Sequence, residues 1–260
     1  LGLPTGQPDP LGRQPGEPLA PGRFSLETLL QTKAAVGSII WGCLYQGVPR
    51  AAEGNMFKRE WFTQFVDAAP VEAFRVRYWD KAGTQGGGKF SSGLLMAKTP
   101  FGIYYVEDVT RGQWSAKERE DVIKQTAELD RIRYGNTVHV WHEQEGGSGG
   151  KESAESTNRN LAGYIVHADH VTGDKVTRSY PYQAQCEAGN VRLVRGAWNQ
   201  AYIDELTGFP NGAFSDQVDS SSGAFNKLAP MEVEEAPEPI IETHTFGGGP
   251  KRDDSGEPWV

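Results

Sequence analysis

The stretch Phe74-Arg75-Val76-Arg77-Tyr78-Trp79-Asp80 constrains the fold more than any other part of the chain. Its alternation predicts a strand with Phe74, Val76, Tyr78 and Asp80 on one face and Arg75, Arg77 and Trp79 on the other. Asp80 follows three apolar residues on its own face, so it ends the strand at the rim of a core, where an uncompensated carboxylate is costly to bury. Two later segments offer an acid at a similar rim: Glu143, after the apolar run Val138-His139-Val140-Trp141-His142, and Asp216, at the start of a helix. Three carboxylates from three distant segments suit hard divalent cations, which prefer oxygen ligands.

The surrounding pattern places that strand in an α/β sandwich. Strands are expected over 72–80, 92–98 and 102–110, joined by connections short enough for an antiparallel three-stranded meander. Ser115-Ala116-Lys117-Glu118 forms a capping box that opens a helix reaching about Arg131. The run Val138 to His142 has the character of a central buried strand. A helix over 153–161, a strand over 164–167, a helix ending before Gly189 and a short strand Val191 to Val194 continue the alternation. The last helix starts with Ser215 as N-cap and runs to about Leu228; its Asp216 face continues through Asp219, Ser220 and Gly223, residues small or polar enough for close approach to a sheet. On this topology the first strand ends beside the fourth, and the last helix closes over both.

Upstream, residues 1–22 hold six prolines and five glycines and form an arm without a core of its own. Residues 23–69 form a helical connecting segment: Ser25 caps a helix that Gly37 interrupts, and a second short helix covers 38–46. The domain proper spans 70–228, and 229–260 is an acidic tail expected to be disordered. The formal charge of -8 is concentrated there, because the tail carries eight acids against Lys251 and Arg252. The rest of the chain is close to balanced, so net acidity does not exclude a nucleic-acid partner. Two cysteines, Cys43 and Cys186, make neither a disulfide framework nor a zinc site. The longest uncharged stretch, 34–49, is 16 residues long, short of the roughly 20 that span a bilayer. With no basic-then-apolar leader pattern, the reading is a soluble cytoplasmic chain without a membrane partner.

Two glycine-rich runs need separate treatment. Gly83 to Lys89 matches the spacing of a phosphate-binding loop, but Phe90 stands where Ser or Thr should hold magnesium, and a strand follows instead of a helix. It reads as a hairpin loop, and no ATP binding or hydrolysis is expected. The run from Glu145 to Lys151 follows Glu143 and lies at the rim of the acid site, where backbone amides and Lys151 can meet a phosphate oxygen. Taken singly, Asp80 and Glu143 are equally explained as strand-end salt bridges, and Asp216 as an acid favoured by the helix macrodipole. His142 points away from Glu143 if the strand alternates, which favours a satisfied histidine over a ligand. Lys175 and Arg178, spaced i, i+3, share a helix face turned either to phosphates or to plain solvent. Arg195 is a further basic position expected near the site.

Three segments together resemble a known family. Tyr78-Trp79-Asp80-Lys81-Ala82, the run from His142 to Lys151, and Phe209-Pro210-Asn211-Gly212 with Ser215-Asp216-Gln217-Val218-Asp219 are similar to the acidic motifs of the C-terminal nuclease domain of tailed-bacteriophage terminase large subunits. Residues 23–62, with Leu44-Tyr45-Gln46 and Gly54-Asn55-Met56-Phe57, are similar to the segment joining the packaging ATPase to that nuclease. The resemblance implies an RNase H-like mixed sheet, an antiparallel meander extended by parallel strands and flanked by helices. It also implies a metal-dependent endonuclease that cuts concatemeric double-stranded DNA in the host bacterial cytoplasm. Two Mg2+ or Mn2+ ions per site are implied, with an ATPase domain, a small terminase subunit and a portal or procapsid as partners. Asp80, Glu143 and Asp216 match the family's three acids, and Lys151, Lys175, Arg178 and Arg195 are the candidate DNA contacts. Many members have Asp-Asp where this chain has Ser215-Asp216; Asp219, on the same helix face, either replaces the missing ligand or contacts water or DNA. Two other functions stay open: a DNA-clamping or portal-docking module with suppressed cutting, and an RNase H-like junction resolvase.

Overall fold

The computed structural model describes residues 1–2, 9–47, 55–82 and 88–231. The strongest part of the glycine hairpin, 83–87, and nearly all of the acidic tail, 232–260, lie outside the described residues. Among these residues seven strands form one sheet: β1 (Phe65–Val66), β2 (Phe74–Asp80), β3 (Ser91–Lys98), β4 (Tyr104–Gly112), β5 (His139–Gln144), β6 (Ile165–His170) and β7 (Val191–Val194). Their order across the sheet is β1-β7-β4-β3-β2-β5-β6. The expected antiparallel meander β2-β3-β4 is its centre. β5 and β6 add parallel to β2 on one side, and β7 and β1 add parallel to β4 on the other. β3 is thus the one strand that runs against the rest, and the C-terminal ends of β2 and β5 share an edge.

Among the described residues six α-helices flank the sheet: α1 (Leu26–Ile40), α2 (Ala116–Tyr134), α3 (Gly147–Asn160), α4 (Lys175–Glu187), α5 (Asn199–Gly208) and α6 (Asp216–Leu228). Alternation in β2 divides the core between two layers. Val76 and Tyr78 join Leu94, Met96, Tyr182, Tyr202, Val218 and Phe225 beneath α4, α5 and α6. Trp79 joins Ile123, Ala127, Val140 and Leu161 beneath α2 and α3. Ser25 caps α1 through the Thr28 amide, and Ser115 and Glu118 close both halves of the α2 capping box, satisfying amide groups that a helix start leaves unpaired. At Gly37, φ is +76° and the helix is interrupted; the break lets α1 lie against α4, where a Cβ would stand 2.9 Å from that of Ala184.

Several expectations change. Residues 55–69, read as part of a connecting segment, place Met56, Phe57 and Phe62 in the main core and supply β1. The helix expected to open at 153 begins at Gly147, so the second glycine-rich run is the first turn of α3 and not a loop. α5 has no counterpart in the expected order, although Tyr202, Ile203 and Leu206 bury one face of it. Arg75 and Arg77 do occupy the face of β2 opposite Tyr78, but both are buried there. Burial is tolerated because each guanidinium is paired. Arg77 bonds Asp130 twice and Asp108 once, each at 2.8 Å, and Arg75 bonds Glu107 at 2.8 Å.

Candidate acidic active site

Asp80 ends β2, and the parallel pairing of Trp79 with His142 sets Glu143 beside it on the same face. The third element is α6, which lies across β2 and β3 with every residue from Asp216 to Phe225 buried. Small side chains make this depth possible. The Ser220 hydroxyl is 2.8 Å from that of Ser92 on β3, and the Ser222 hydroxyl donates to Ser179 on α4 at 3.0 Å. Gly223 rests directly on the Tyr78 ring, where a Cβ would lie 2.3 Å from the nearest ring carbon.

This seating decides which acid faces Asp80. Burial first, then the carboxylates of Asp219 and Glu143, push the Asp80 carboxyl well above the usual range. Asp219 is also raised by burial, against the pull of Lys175 and Arg178. Asp216 is buried one turn earlier, and its Oδ2 accepts the Phe90 amide at 3.1 Å, which ties α6 to the start of β3. The geometry therefore brings Asp80, Glu143 and Asp219 together and turns the Asp216 carboxylate to the base of the β2-β3 hairpin.

Two cations complete the cluster. The Lys175 ammonium, in the first turn of α4, bonds the Asp219 carboxylate and lies 3.3 Å from the Ser215 hydroxyl. Arg178 reaches Asp219 at 3.2 Å and Glu143 at 3.9 Å. Burial would lower the Lys175 pKa, but Asp219, Asp80 and Glu143 outweigh it and the ammonium is held above its ordinary value. The shared face expected of Lys175 and Arg178 is real, and it looks inward to the acids. Lys151 lies on the exposed side of α3. Arg195 sits beyond β7, separated from β2 by β4 and β3, and pairs with Asp67 at 3.2 Å; it stands apart from the cluster. His142 is buried on the opposite face with Nε2 against Asn158 at 2.8 Å, as the alternation of β5 requires.

Sequence reasoning missed a second tier of polar groups. Asp169 on β6 stands opposite Glu143 in the register, accepts the Tyr78 hydroxyl at 2.8 Å and bonds Lys227 at 2.6 Å. The signal was its place two residues after His167, lost because the strand was ended too early. Lys81, next to Asp80 but on the other face, bonds Thr157 at 3.1 Å, and burial lowers its pKa to about 8.

Among the described residues, no three His, Cys, Asp or Glu side chains form a ready-made metal cage. The donor set nevertheless fits a hard divalent cation. It is made of carboxylate oxygens, which such ions prefer, and like-charge repulsion already burdens Asp80. Lys175 and Arg178 supply positive charge to the same acids.

An antiparallel meander extended by parallel strands, with helices on both faces and acids at the shared strand ends, defines an RNase H-like fold. The chain belongs to the terminase RNase H-like domain family, whose model matches residues 77–228, more than half of its length. The chain is also similar to three solved structures at low identity. The large terminase nuclease of thermophilic phage G20c with bound magnesium is 14% identical with a TM-score of 0.47, over 68% of this chain and 99% of that one. The same nuclease with bound zinc is 15% identical with a TM-score of 0.49, over 66% and 98%. The nuclease domain of the large terminase of Thermus phage P74-26 is 12% identical with a TM-score of 0.47, over 70% and 100%. No curated protein sequence matches. Among the described residues no helix is long and apolar enough to cross a membrane.

Proposed function

We propose that the chain is the metal-dependent endodeoxyribonuclease of a viral packaging terminase, cutting concatemeric double-stranded DNA in the cytoplasm of a bacterial host. The observation that carries this reading is the meeting of Asp80, Glu143 and Asp219 at one sheet edge within a terminase-family domain. Asp80, the acid most crowded by the other two, would hold the metal together with Glu143 and Asp219. Asp219 thus takes the place that Asp216 occupies in the motif, and Asp216 positions the hairpin through the Phe90 amide. When bound, two Mg2+ or Mn2+ ions supply an activated water and a stabilised leaving oxygen for in-line phosphodiester hydrolysis. Lys175 and Arg178 hold the acids in place before loading and face the scissile phosphate afterwards, where a cation offsets developing negative charge. An ATPase domain, a small subunit and a portal are the partners this role requires.

Plasmid digestion with magnesium, manganese, calcium or chelator tests the reading, using the parent and the variants Asp80→Asn, Asp219→Asn and Asp216→Asn. Cutting is expected with magnesium or manganese and is abolished by chelator, by Asp80→Asn and by Asp219→Asn. Asp216→Asn is expected to retain more activity than Asp219→Asn. Digestion in chelator, or an Asp219→Asn variant that cuts at the parental rate, defeats this reading. Cleavage confined to four-way junctions would favour a resolvase instead, and metal-independent DNA binding without cutting would favour a clamp.

A further inference from the structure

Asp169 stands opposite Glu143 on the neighbouring parallel strand, on the face that carries the acid cluster, yet it is turned to other partners. Its Oδ2 accepts the Tyr78 hydroxyl at 2.8 Å, and its Oδ1 accepts the Lys227 ammonium at 2.6 Å. Tyr78 belongs to β2, so the strand order makes its side chain reach past β5 to meet β6. Lys227 comes from the last turn of α6 and lies over the Trp141 ring of β5, 4.5 Å from its centroid. The pair that Lys227 forms with Asp169 is largely withdrawn from water, with side chains 23% and 18% exposed, so salt screens it less than a surface pair. One carboxylate thus anchors both a residue of the strand that ends in Asp80 and a residue of the helix that carries Asp219.

Asp219, Gly223 and Lys227 recur at every fourth position and form one stripe along α6. The contacts in this stripe constrain the helix in different ways. Gly223 against the Tyr78 ring sets how closely α6 approaches β2, but glycine has no side chain with which to lock a rotation. Lys227 does: it makes a directed, charged bond about 12 Å along the helix axis from Asp219, at 1.5 Å per residue. Rotation is what the acid site depends on. Asp216 and Asp219 are three residues apart, so at about 100° per residue their directions differ by about 60°, and a turn of that size carries Asp219 off the direction of Asp80.

We propose that Asp169 is a positioning residue for the acid site: gripping Tyr78 with one oxygen and Lys227 with the other, it fixes the rotation of α6 and so holds Asp219 against Asp80 and Glu143. The proposal deepens the nuclease reading and rests on it for Asp219 as a metal ligand.

Three variants test this. Asp169→Ala removes both bonds at the anchor. Lys227→Met is the gentler change, since it keeps an unbranched stem over Trp141 and leaves the Tyr78 bond to Asp169 in place. Lys227→Arg keeps the charge and is the conservative rescue. Hydrogen exchange in chelator reads the seating of α6 without any metal. Amides 218–222 should exchange roughly tenfold faster relative to those of β3 in Asp169→Ala and Lys227→Met, the size expected for one lost hydrogen bond to a charged group. They should be near parental in Lys227→Arg. Thermal melts over a manganese series give the apparent metal Kd, which should rise about tenfold or more in the first two variants, as for other groups that orient metal ligands. In an Asp219→Asn background, Lys227→Met should weaken manganese binding no further, because the ligand it positions is gone. Parental exchange of α6 in both Asp169→Ala and Lys227→Met overturns the proposal, as does faster exchange with parental manganese affinity. An equal loss of affinity with and without Asp219 overturns it too, since Asp169 would then act elsewhere. A parent with no manganese response sinks the nuclease reading instead, and the exchange rates still decide whether Asp169 holds α6.

Discussion

Gly223→Ala is the smallest change that tests how α6 is seated. In the parent, an added Cβ would lie 2.3, 2.4 and 2.6 Å from three carbons of the Tyr78 ring. Ordinary carbon contacts are about 3.5–4.0 Å, so helix and ring must separate by roughly 1 Å. Tyr78 is 1% exposed and its hydroxyl is bound to Asp169, so the ring has no free space to enter. Overpacking of this kind costs about 1–3 kcal/mol, and disturbing a buried hydrogen bond to a charged group costs about 1.5–3 kcal/mol more. Against this, replacing glycine in a helix by alanine returns about 1 kcal/mol. The net loss is about 1.5–5 kcal/mol, which for a domain of this size lowers Tm by about 3–20 °C. Asp219 lies one turn before Gly223 on the same helix. Moving it about 1 Å from Asp80 should reduce cleavage on the order of 100-fold. Circular-dichroism melts and plasmid nicking read the two effects. Gly149→Ala is the internal control: the same substitution in open space should be neutral or stabilising by up to about 1 kcal/mol. A Gly223→Ala protein that melts at or above the parent would refute the argument that glycine is what lets α6 approach β2.

Asp80→Asn should be at least as stable as the parent in chelator at neutral pH, and it should lose most of the parent's gain in Tm with millimolar manganese. That gain is about 2.7 kcal/mol when the metal is at 100 times its Kd. The sign follows from the raised Asp80 carboxyl: the folded chain keeps a proton that the unfolded chain releases, so parental stability falls as pH rises from the ordinary aspartate value toward the raised one. The difference between the two proteins should therefore vanish near pH 3, and equal melting at all pH values would count against a crowded acid site. Arg77→Met should destabilise by about 3–5 kcal/mol in denaturant titrations, because it strands Asp130 in the core and leaves Asp108 without its partner; a loss under about 1 kcal/mol would be inconsistent with a buried ion pair. Deleting residues 232–260 removes a net charge of -6 and should tighten duplex binding at low salt. Weaker binding after the deletion would mean that the tail contributes to the interface.

Local order was legible in the sequence wherever one residue type answers one local need. The alternation of β2, the Ser115-Glu118 capping box, the break at Gly37 and the four residues of β7 all follow from rules that operate within a few positions. Asp80 and Glu143 could be paired in advance because parallel neighbours end at the same edge of a sheet. Tertiary packing decided the rest. Asp216 and Asp219 are three residues apart and share a helix face, so periodicity cannot choose between them. The choice is made by the rotation of α6, set by Gly223 against Tyr78 and by Ser220 against Ser92. The i, i+3 spacing of Lys175 and Arg178 likewise says that they point together, but not whether solvent or an acid lies in front of them. Alternation puts Arg75 and Arg77 on one face of β2, but their burial depends on Glu107 from β4 and Asp130 from α2 being brought against them. Sequence periodicity records which residues share a face; how far an element is turned and how deeply it docks depends on side chains distant along the chain.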